Sequence, residues 1–205
     1  MNSSLRFPAL VVAALFSSCP QAHGAIFLDQ SVDATRNGGI QIIADQIAGQ
    51  TFTAGRSGLL GRIGVQLRRS TAVDDVTLTV STAESDLPDT DLGSVVIPAD
   101  RVPISGLAPH PYVDVDVTSL GIQVEADTQY AIYLSYEGQG IYYWPDTAPG
   151  PYSAGRSVVF TSRGVWAPIL VDRDQGFRTF VAPDPAAAHM VLSLATVLTL
   201  RRRSR

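Results

Sequence analysis

The sequence predicts an all-β protein, an antiparallel β-sandwich with a jelly-roll-like topology. Two observations carry this prediction. Apolar and polar residues alternate over several short segments, and clusters rich in glycine and proline separate these segments at near-regular intervals. Alternation with period two is typical of half-buried strands, and many short strands with turn signals between them are typical of a sandwich.

Three segments show the alternation most clearly, and further strands are predicted from weaker patterns. The inward positions of the three segments are Val76, Leu78 and Val80; Val113, Val115 and Val117; and Tyr130, Ile132, Leu134 and Tyr136. The other predicted strands are 50–54, 60–68, 93–97, 140–144, 157–162, 165–170 and 176–181.

Turns between the strands complete the expected elements. Glycine and proline supply the dihedral angles that turns require, which predicts turns at 54–58, 85–91, 105–111, 146–155 and 162–164. No convincing amphipathic helix is found in residues 25–182; the segment 38–49 is the only candidate, and its glycines leave room for a short one.

The first 24 residues predict a cleavable signal peptide. Arg6 precedes an apolar stretch over 7–16, and the small residues Ala22 and Gly24 precede a mature start near Ala25. A second interpretation treats Cys19 as a lipidated cysteine, although Phe16 stands where such motifs usually carry leucine.

The last residues predict a short hydrophobic helix that enters a membrane. The apolar run covers 186–200, somewhat less than the about 17–20 residues that a spanning helix needs. A basic cluster follows and marks the cytoplasmic side. An amphipathic helix packed on the domain is the alternative, but apolar residues surround the segment instead of forming one stripe. The cluster consists of Arg201, Arg202, Arg203 and Arg205.

Pro183, Asp184 and Pro185 stand directly before this run. The order of tripeptide, apolar helix and arginines resembles the PEP-CTERM sorting signal of Gram-negative bacteria. Asp184 stands where that family has glutamate. The resemblance implies that the tail (183–205) holds the protein in the inner membrane until an exosortase-type enzyme processes it, and that the protein then reaches the cell surface or the extracellular space.

The body also resembles the uncharacterised β-sandwich ectodomains that commonly precede such tails. The resemblance lies in the segments "QTFTAGRSGLLGRIGVQLRR", "LSYEGQGIYYWPDTAPGPYSAGR" and "DQGFRTFV", within residues 50–181. It implies a sandwich ectodomain over 25–182 and an exported location.

Composition limits the classes of partner. The only cysteine is Cys19, so the mature domain has no disulfide. Residues 25–182 carry ten arginines against 18 carboxylates, a net charge of −8. A domain of this sign repels nucleic acid and anionic surfaces, and it is compatible with divalent cations or neutral glycans.

Catalytic motifs are missing from the sequence. His110 is the only histidine of residues 25–182, which makes an acid–base site around histidine improbable by count. The pattern Gly-x-Ser-x-Gly and glycine-rich phosphate loops do not occur. We therefore expect a non-enzymatic protein without a cofactor.

Acidic pairs raise the question of calcium. Asp89 and Asp91 fall in one predicted turn, and Asp172 and Asp174 precede the last strand. Calcium takes several oxygen ligands, often from loops. The alternative is that both pairs are solvated acidic turns, as is common.

Aromatic residues crowd the segment 133–152, where Tyr142, Trp144 and Tyr152 are candidates for stacking on a sugar ring. The alternative is that these rings fill the core, and we expect Trp144 to be structural and Tyr152 to be more exposed. The sequence thus predicts an exported cell-surface or matrix protein of a Gram-negative bacterium, or alternatively a carbohydrate-binding module for exopolysaccharide.

Overall fold

The computed structural model describes residues 25–104, 108–161, 164–169 and 172–183, and these form β-strands and two short 3-10 helices without an α-helix among them. The strands are β1 (Phe27–Val32), β2 (Gly39–Ile42), β3 (Ile47–Thr53), β4 (Gly58–Val65), β5 (Arg68–Arg69), β6 (Val76–Glu84), β7 (Leu87–Ile97), β8 (Val113–Asp116), β9 (Gln123–Val124), β10 (Gln129–Ser135), β11 (Tyr142–Thr147), β12 (Ser157–Phe160), β13 (Trp166–Pro168), β14 (Asp174–Gln175) and β15 (Phe177–Pro183).

The strands assemble into three antiparallel sheets. The largest has the order β13-β12-β3-β10-β6-β7. The second has the order β1-β15-β4-β8, with β9 also paired to β4. A small sheet of order β14-β11-β2, with β5 paired to β11, completes the fold. The predicted all-β, antiparallel class is confirmed, and the packing is consistent with a β-sandwich.

The hydrophobic core lies between the six-stranded sheet and the β1-β15-β4-β8 sheet. Phe52 on β3 and Phe177 on β15 meet across it, with ring centroids 6.1 Å apart. All ten inward positions that alternation predicted, from Val76 to Tyr136, are buried. The seven further predicted strands each overlap an observed strand. The alternation of apolar and polar residues therefore predicted the core-facing positions correctly.

The six-stranded sheet is strongly curled. Its edge strands β13 and β7 bring Cα atoms within 8 Å of each other, although four strands separate them in the sheet order. Trp166 on β13 and Tyr133 on β10 have ring centroids 5.2 Å apart, and the Tyr133 hydroxyl donates to Asp91 on β7 at 2.7 Å. The face turned away from the core is therefore concave.

One local prediction is wrong, and the single helix candidate consists of strands. Residues 38–49 form β2 and the beginning of β3, connected through an Ile43–Gln46 bridge, and not a helix. A Cβ at Gly39 would overlap the Trp144 carbonyl, so this glycine allows close strand packing. The predicted turn over 85–91 is only two residues long, because β7 begins at Leu87.

The predicted terminal segments lie outside the described residues. These are the signal peptide (1–24) and most of the tail, including Asp184, Pro185 and the arginine cluster 201–205. Pro183, the first residue of the tripeptide, is the last residue of β15 and pairs with Gly58 on β4. Within the described ranges, no helix has the length and apolar character needed to cross a membrane.

Candidate functional site

A pocket of about 420 Å³ opens beside Tyr152. Its walls come from the connection between β11 and β12, within 150–157, and from residues 172–174 at the start of β14, together with Ile169. Three residues singled out in the sequence, Tyr152, Asp172 and Asp174, line this one pocket. They meet because β14 pairs with the end of β11, opposite Thr147.

Asp174 forms the floor of the pocket. Its side chain is almost fully buried; Oδ1 accepts a hydrogen bond from Gln50 Nε2 at 3.1 Å, and Oδ2 accepts one from the Tyr152 backbone N–H at 2.8 Å. Burial raises the pKa of this carboxyl above its ordinary value, and the two hydrogen bonds oppose that shift. Both carboxylate oxygens therefore hold the walls in place.

Tyr152 forms a fixed, half-buried wall. Its hydroxyl donates to Gln30 Oε1 at 3.0 Å and accepts from the Thr53 N–H at 3.3 Å. Its ring meets Phe177 edge-on, with centroids 5.5 Å apart. Burial raises the pKa of Tyr152 to about 12, so this hydroxyl keeps its proton at neutral pH.

Two arginines are among the residues that line the pocket. Arg156 is half-exposed and pairs with Asp86 at 3.0 Å. Arg173 pairs at 3.1 Å with Asp146, whose side chain is fully buried. Each guanidinium keeps further N–H donors beyond these contacts, because arginine carries five.

Glycines let the backbone approach these groups. A Cβ at Gly150 would lie 2.5 Å from Asp174 Oδ2 and 3.0 Å from Asp172 Oδ1. Both carboxylates therefore lie close to the Gly150 backbone. A Cβ at Gly155 would overlap the Thr51 carbonyl. A larger residue at either position would displace a wall of the pocket.

The pocket combines balanced charge with a partly apolar surface. The lining holds two carboxylates, Asp172 and Asp174, and two arginines, so its own formal charges cancel, while the arginines are paired with Asp86 and Asp146 outside the lining. Tyr152 and Ile169 add apolar surface. Alternating donors and acceptors beside an aromatic ring suit an uncharged ligand that is rich in hydroxyl groups.

Tyr142 and Trp144 cannot serve as glycan platforms in this fold. Both rings are fully buried in the core. Trp144 Nε1 donates to the Gly176 carbonyl at 2.9 Å, and the Tyr142 hydroxyl donates to the Asp74 carbonyl at 2.6 Å. The two residues share a face of β11, as predicted from alternation, and that face points inward. The expectation that Trp144 is structural and Tyr152 more exposed is confirmed.

The acidic candidates for calcium separate into two places. Asp89 Oδ2 accepts hydrogen bonds from Thr82 and Thr90, and Asp91 accepts one from Tyr133. Asp172 and Asp174 lie instead in the pocket beside Tyr152. Across the part of the chain that the structure describes, no three carboxylate, histidine or cysteine side chains come together as metal ligands would.

An aromatic cluster on the concave sheet face was not singled out in the sequence. Trp166 packs against Tyr133 and against Phe160, with centroids 5.2 Å and 5.4 Å apart. Alternation places Tyr133 on the face opposite the core residues. The cluster could not be predicted, because Tyr133, Phe160 and Trp166 lie on β10, β12 and β13, which only the order of strands in the sheet brings together. A smaller cavity of about 240 Å³ lies beside Phe160 and Ile47.

Comparison of the chain with protein-family models, with curated proteins and with solved structures finds no match.

Proposed function

We propose that this chain is an exported, non-enzymatic ectodomain of a Gram-negative cell surface or matrix, and that its jelly-roll-like sandwich binds a saccharide unit of an exopolysaccharide in the pocket beside Tyr152. The observation that carries the proposal is the convergence of Tyr152, Asp172, Asp174, Arg156 and Arg173 on one pocket. No cofactor or nucleic acid takes part.

The strand orders support the jelly-roll topology. Eight main strands divide between two sheets, in the orders β1-β15-β4-β8 and β3-β10-β6-β7. Two interleaved Greek keys give this arrangement. In such a sandwich the loops at the ends carry binding residues, and the pocket lies at the loop between β11 and β12.

The size and lining of the pocket support a saccharide. A volume of about 420 Å³ falls within the range of roughly 300–1,000 Å³ for small-molecule sites. The half-buried Tyr152 ring offers a surface for the C–H face of a sugar, while Asp172 and Arg156 offer an acceptor and donors for hydroxyl groups. The mixed charges favour a neutral sugar over a strongly charged one.

Binding of purified protein to a panel of bacterial exopolysaccharides tests this function. Asp172 is exposed, and no hydrogen bond of its side chain holds the fold among the described contacts. Asp172→Asn is therefore expected to weaken the binding of the protein to the polysaccharide while leaving the melting temperature of the protein unchanged. Asp100→Asn, an exposed aspartate in a 3-10 helix, is the matched control and should bind like the natural protein.

Two results would contradict the saccharide proposal. Natural protein that retains no polysaccharide of the panel would remove it altogether. Equal retention by the Asp172→Asn variant and the natural protein would show that a glycan binds elsewhere on the domain.

The export part of the proposal has a separate test. The signal peptide and the tail 183–205, with its exosortase-type partner and the inner membrane, predict a mature protein that begins near Ala25 and loses its tail near Pro183–Pro185 in the native host. Intact-mass measurement of the surface protein determines both ends. A native species that keeps the terminal arginines would contradict processing and leave membrane anchoring in place.

A further inference from the structure

Three consecutive apolar residues are exposed at the beginning of β1. Ile26, Phe27 and Leu28 have exposed fractions of 40%, 46% and 49%. Phe27 and Leu28 belong to β1 and turn to opposite faces of the sheet, and Ile26 directly precedes the strand. We call this group the β1 patch. Contiguous exposed apolar side chains are typical of an interaction surface.

The β1 patch lies where the chain leaves the sandwich. Phe27 pairs with Val181 and Leu28 with Phe180 on β15, which ends at Pro183. With a rise of about 3.3 Å per residue, Phe27 lies roughly 7 Å along the strand from Pro183. The patch and the end of β15 therefore occupy one end of the molecule.

The sequence beyond β15 limits what can face this end. Only Asp184 and Pro185 stand between Pro183 and the apolar run 186–200. Two extended residues reach at most about 7 Å. A bilayer that takes up the apolar run must therefore lie against the end of the sandwich that carries the β1 patch.

Cations accompany the apolar side chains. The Arg56 guanidinium lies over the Phe27 ring, 5.8 Å from its centroid, and the Arg62 guanidinium lies 4.0 Å from the centroid of Phe180, the partner of Leu28. Arginine covers apolar surface with its stem while its guanidinium reaches polar groups, which suits a side chain at a membrane interface.

Two carboxylates also lie near these arginines. Asp29 accepts a hydrogen bond from the Gly55 N–H beside Arg56, and Asp116 stands opposite Arg62 in the strand register. Glu125 and Asp127 lie at the same end, because Val124 pairs with Gly58, the residue opposite Pro183. This end is therefore acidic like the rest of the domain, and its contact with a bilayer depends on the apolar side chains and not on the net charge.

We propose that the β1 patch rests on the bilayer surface while the chain is anchored, with Ile26, Phe27 and Leu28 among the headgroups and Arg56 directed at lipid phosphate. The sandwich would then have one fixed orientation on the bilayer and would not reorient freely about residues 184–185. This inference depends on the membrane anchoring proposed above and not on the saccharide pocket.

Site-specific fluorescence in vesicles tests the proposal. The chain from Ala25 to Arg205, which contains no cysteine, receives one labelled cysteine at a time, as Leu28→Cys, as Val96→Cys or as Leu194→Cys, and is reconstituted in phosphatidylethanolamine and phosphatidylglycerol. Lipids that carry a nitroxide then quench the fluorescence of the label. The nitroxide is on the headgroup when the label is at position 28 or 96, and on the acyl chain when the label is at position 194. Val96 is the matched control, because it is an exposed aliphatic residue of the six-stranded sheet.

The result expected is strong quenching at positions 28 and 194 and little at 96. Quenching at 194 without quenching at 28 would overturn the docking of the β1 patch and leave anchoring intact. Equal quenching at 28 and 96 would overturn it as well, because the sandwich would then have no preferred face. No quenching at 194 would contradict anchoring, and the proposal would fall with it.

Discussion

Gln50 and Asp174 are hydrogen-bonded across the floor of the pocket, with Gln50 Nε2 donating to Asp174 Oδ1 at 3.1 Å, although 124 residues separate them in sequence. Gln50 Oε1 accepts from the Gln175 N–H at 2.9 Å in the same place. Gln50 belongs to β3 of the large sheet and Asp174 to β14 of the small sheet. The pair therefore connects two sheets at the candidate site.

Replacing Asp174 by asparagine should lower the free energy of unfolding at pH 7 by about 1–3 kcal/mol. One acceptor oxygen becomes an NH₂ group, which faces either the Gln50 Nε2 donor or the Tyr152 N–H and leaves a buried donor unpaired. Urea titration measures the loss. The exposed control Asp100→Asn should change the free energy by less than about 0.5 kcal/mol.

The same variant reports on pH. Burial raises the pKa of Asp174 in the folded state, so a proton bound there favours folding. This contribution is complete below the ordinary pKa of 3.8 and is lost as the pH rises through the raised value. The difference in unfolding free energy between the natural protein and Asp174→Asn should therefore grow as the pH falls from 7 toward 4. A difference that shrinks over this range would contradict the assigned shift.

Leu78→Ala tests the core of the sandwich. Leu78 is fully buried on β6, and its loss should lower the free energy of unfolding by about 2–5 kcal/mol in denaturant titration. Val96→Ala on the neighbouring strand β7 is the control, because Val96 is 56% exposed and should change stability by at most about 0.5 kcal/mol. Equal effects of the two changes would mean that the face assignment of these strands is wrong.

The hairpin between β6 and β7 should become more stable with asparagine at position 85. Ser85 and Asp86 have φ angles of 53° and 62°, the left-handed region that two-residue hairpins of type I′ require. Asparagine adopts this region more readily than serine, so Ser85→Asn should raise the free energy of unfolding by about 0.5–1 kcal/mol. Thermal and urea unfolding measure the gain, and an unchanged or lower stability would argue against this turn geometry.

The two tryptophans should differ in their effect on folding. Trp144 is fully buried, so Trp144→Ala should lower the free energy of unfolding by about 3–5 kcal/mol. Trp166 is partly exposed on the concave face, and Trp166→Ala should cost distinctly less. Urea titration of both variants compares them, and a larger loss at Trp166 would reverse the assignment of core and surface.

The class of the fold could be predicted because alternation is a local property. Each of the three clearest segments, 76–80, 113–117 and 130–136, shows in its own sequence which face is apolar. The apolar positions of all three segments are buried, as predicted. The segment 38–49 could be predicted neither as a helix nor as strands from its own pattern. Its strand pairing depends on β11, which lies about a hundred residues further along the chain.

The pocket could be predicted only in part. Tyr152, Asp172 and Asp174 were singled out one by one, for stacking or for calcium, but their convergence depends on the pairing of β14 with β11. The positions of Arg156 and Arg173 in the pocket could not be predicted, because a single arginine in a turn is usually a solvated side chain. Trp144 and Tyr142 were candidates because aromatic residues serve both cores and glycan sites, and only the packing of β11 distinguishes the two.

The most direct test of the saccharide pocket is the response of individual backbone amides. Protein labelled with ¹⁵N is titrated with oligosaccharides released from exopolysaccharide, and the N–H signals of Gly150 and Gly155 are followed by NMR. We expect saturable chemical-shift changes centred on these two glycines, and we expect Asp172→Asn to weaken the binding that causes them. Changes centred instead on Phe160 and Trp166, or none at Gly150 and Gly155 when binding is otherwise detected, would contradict it.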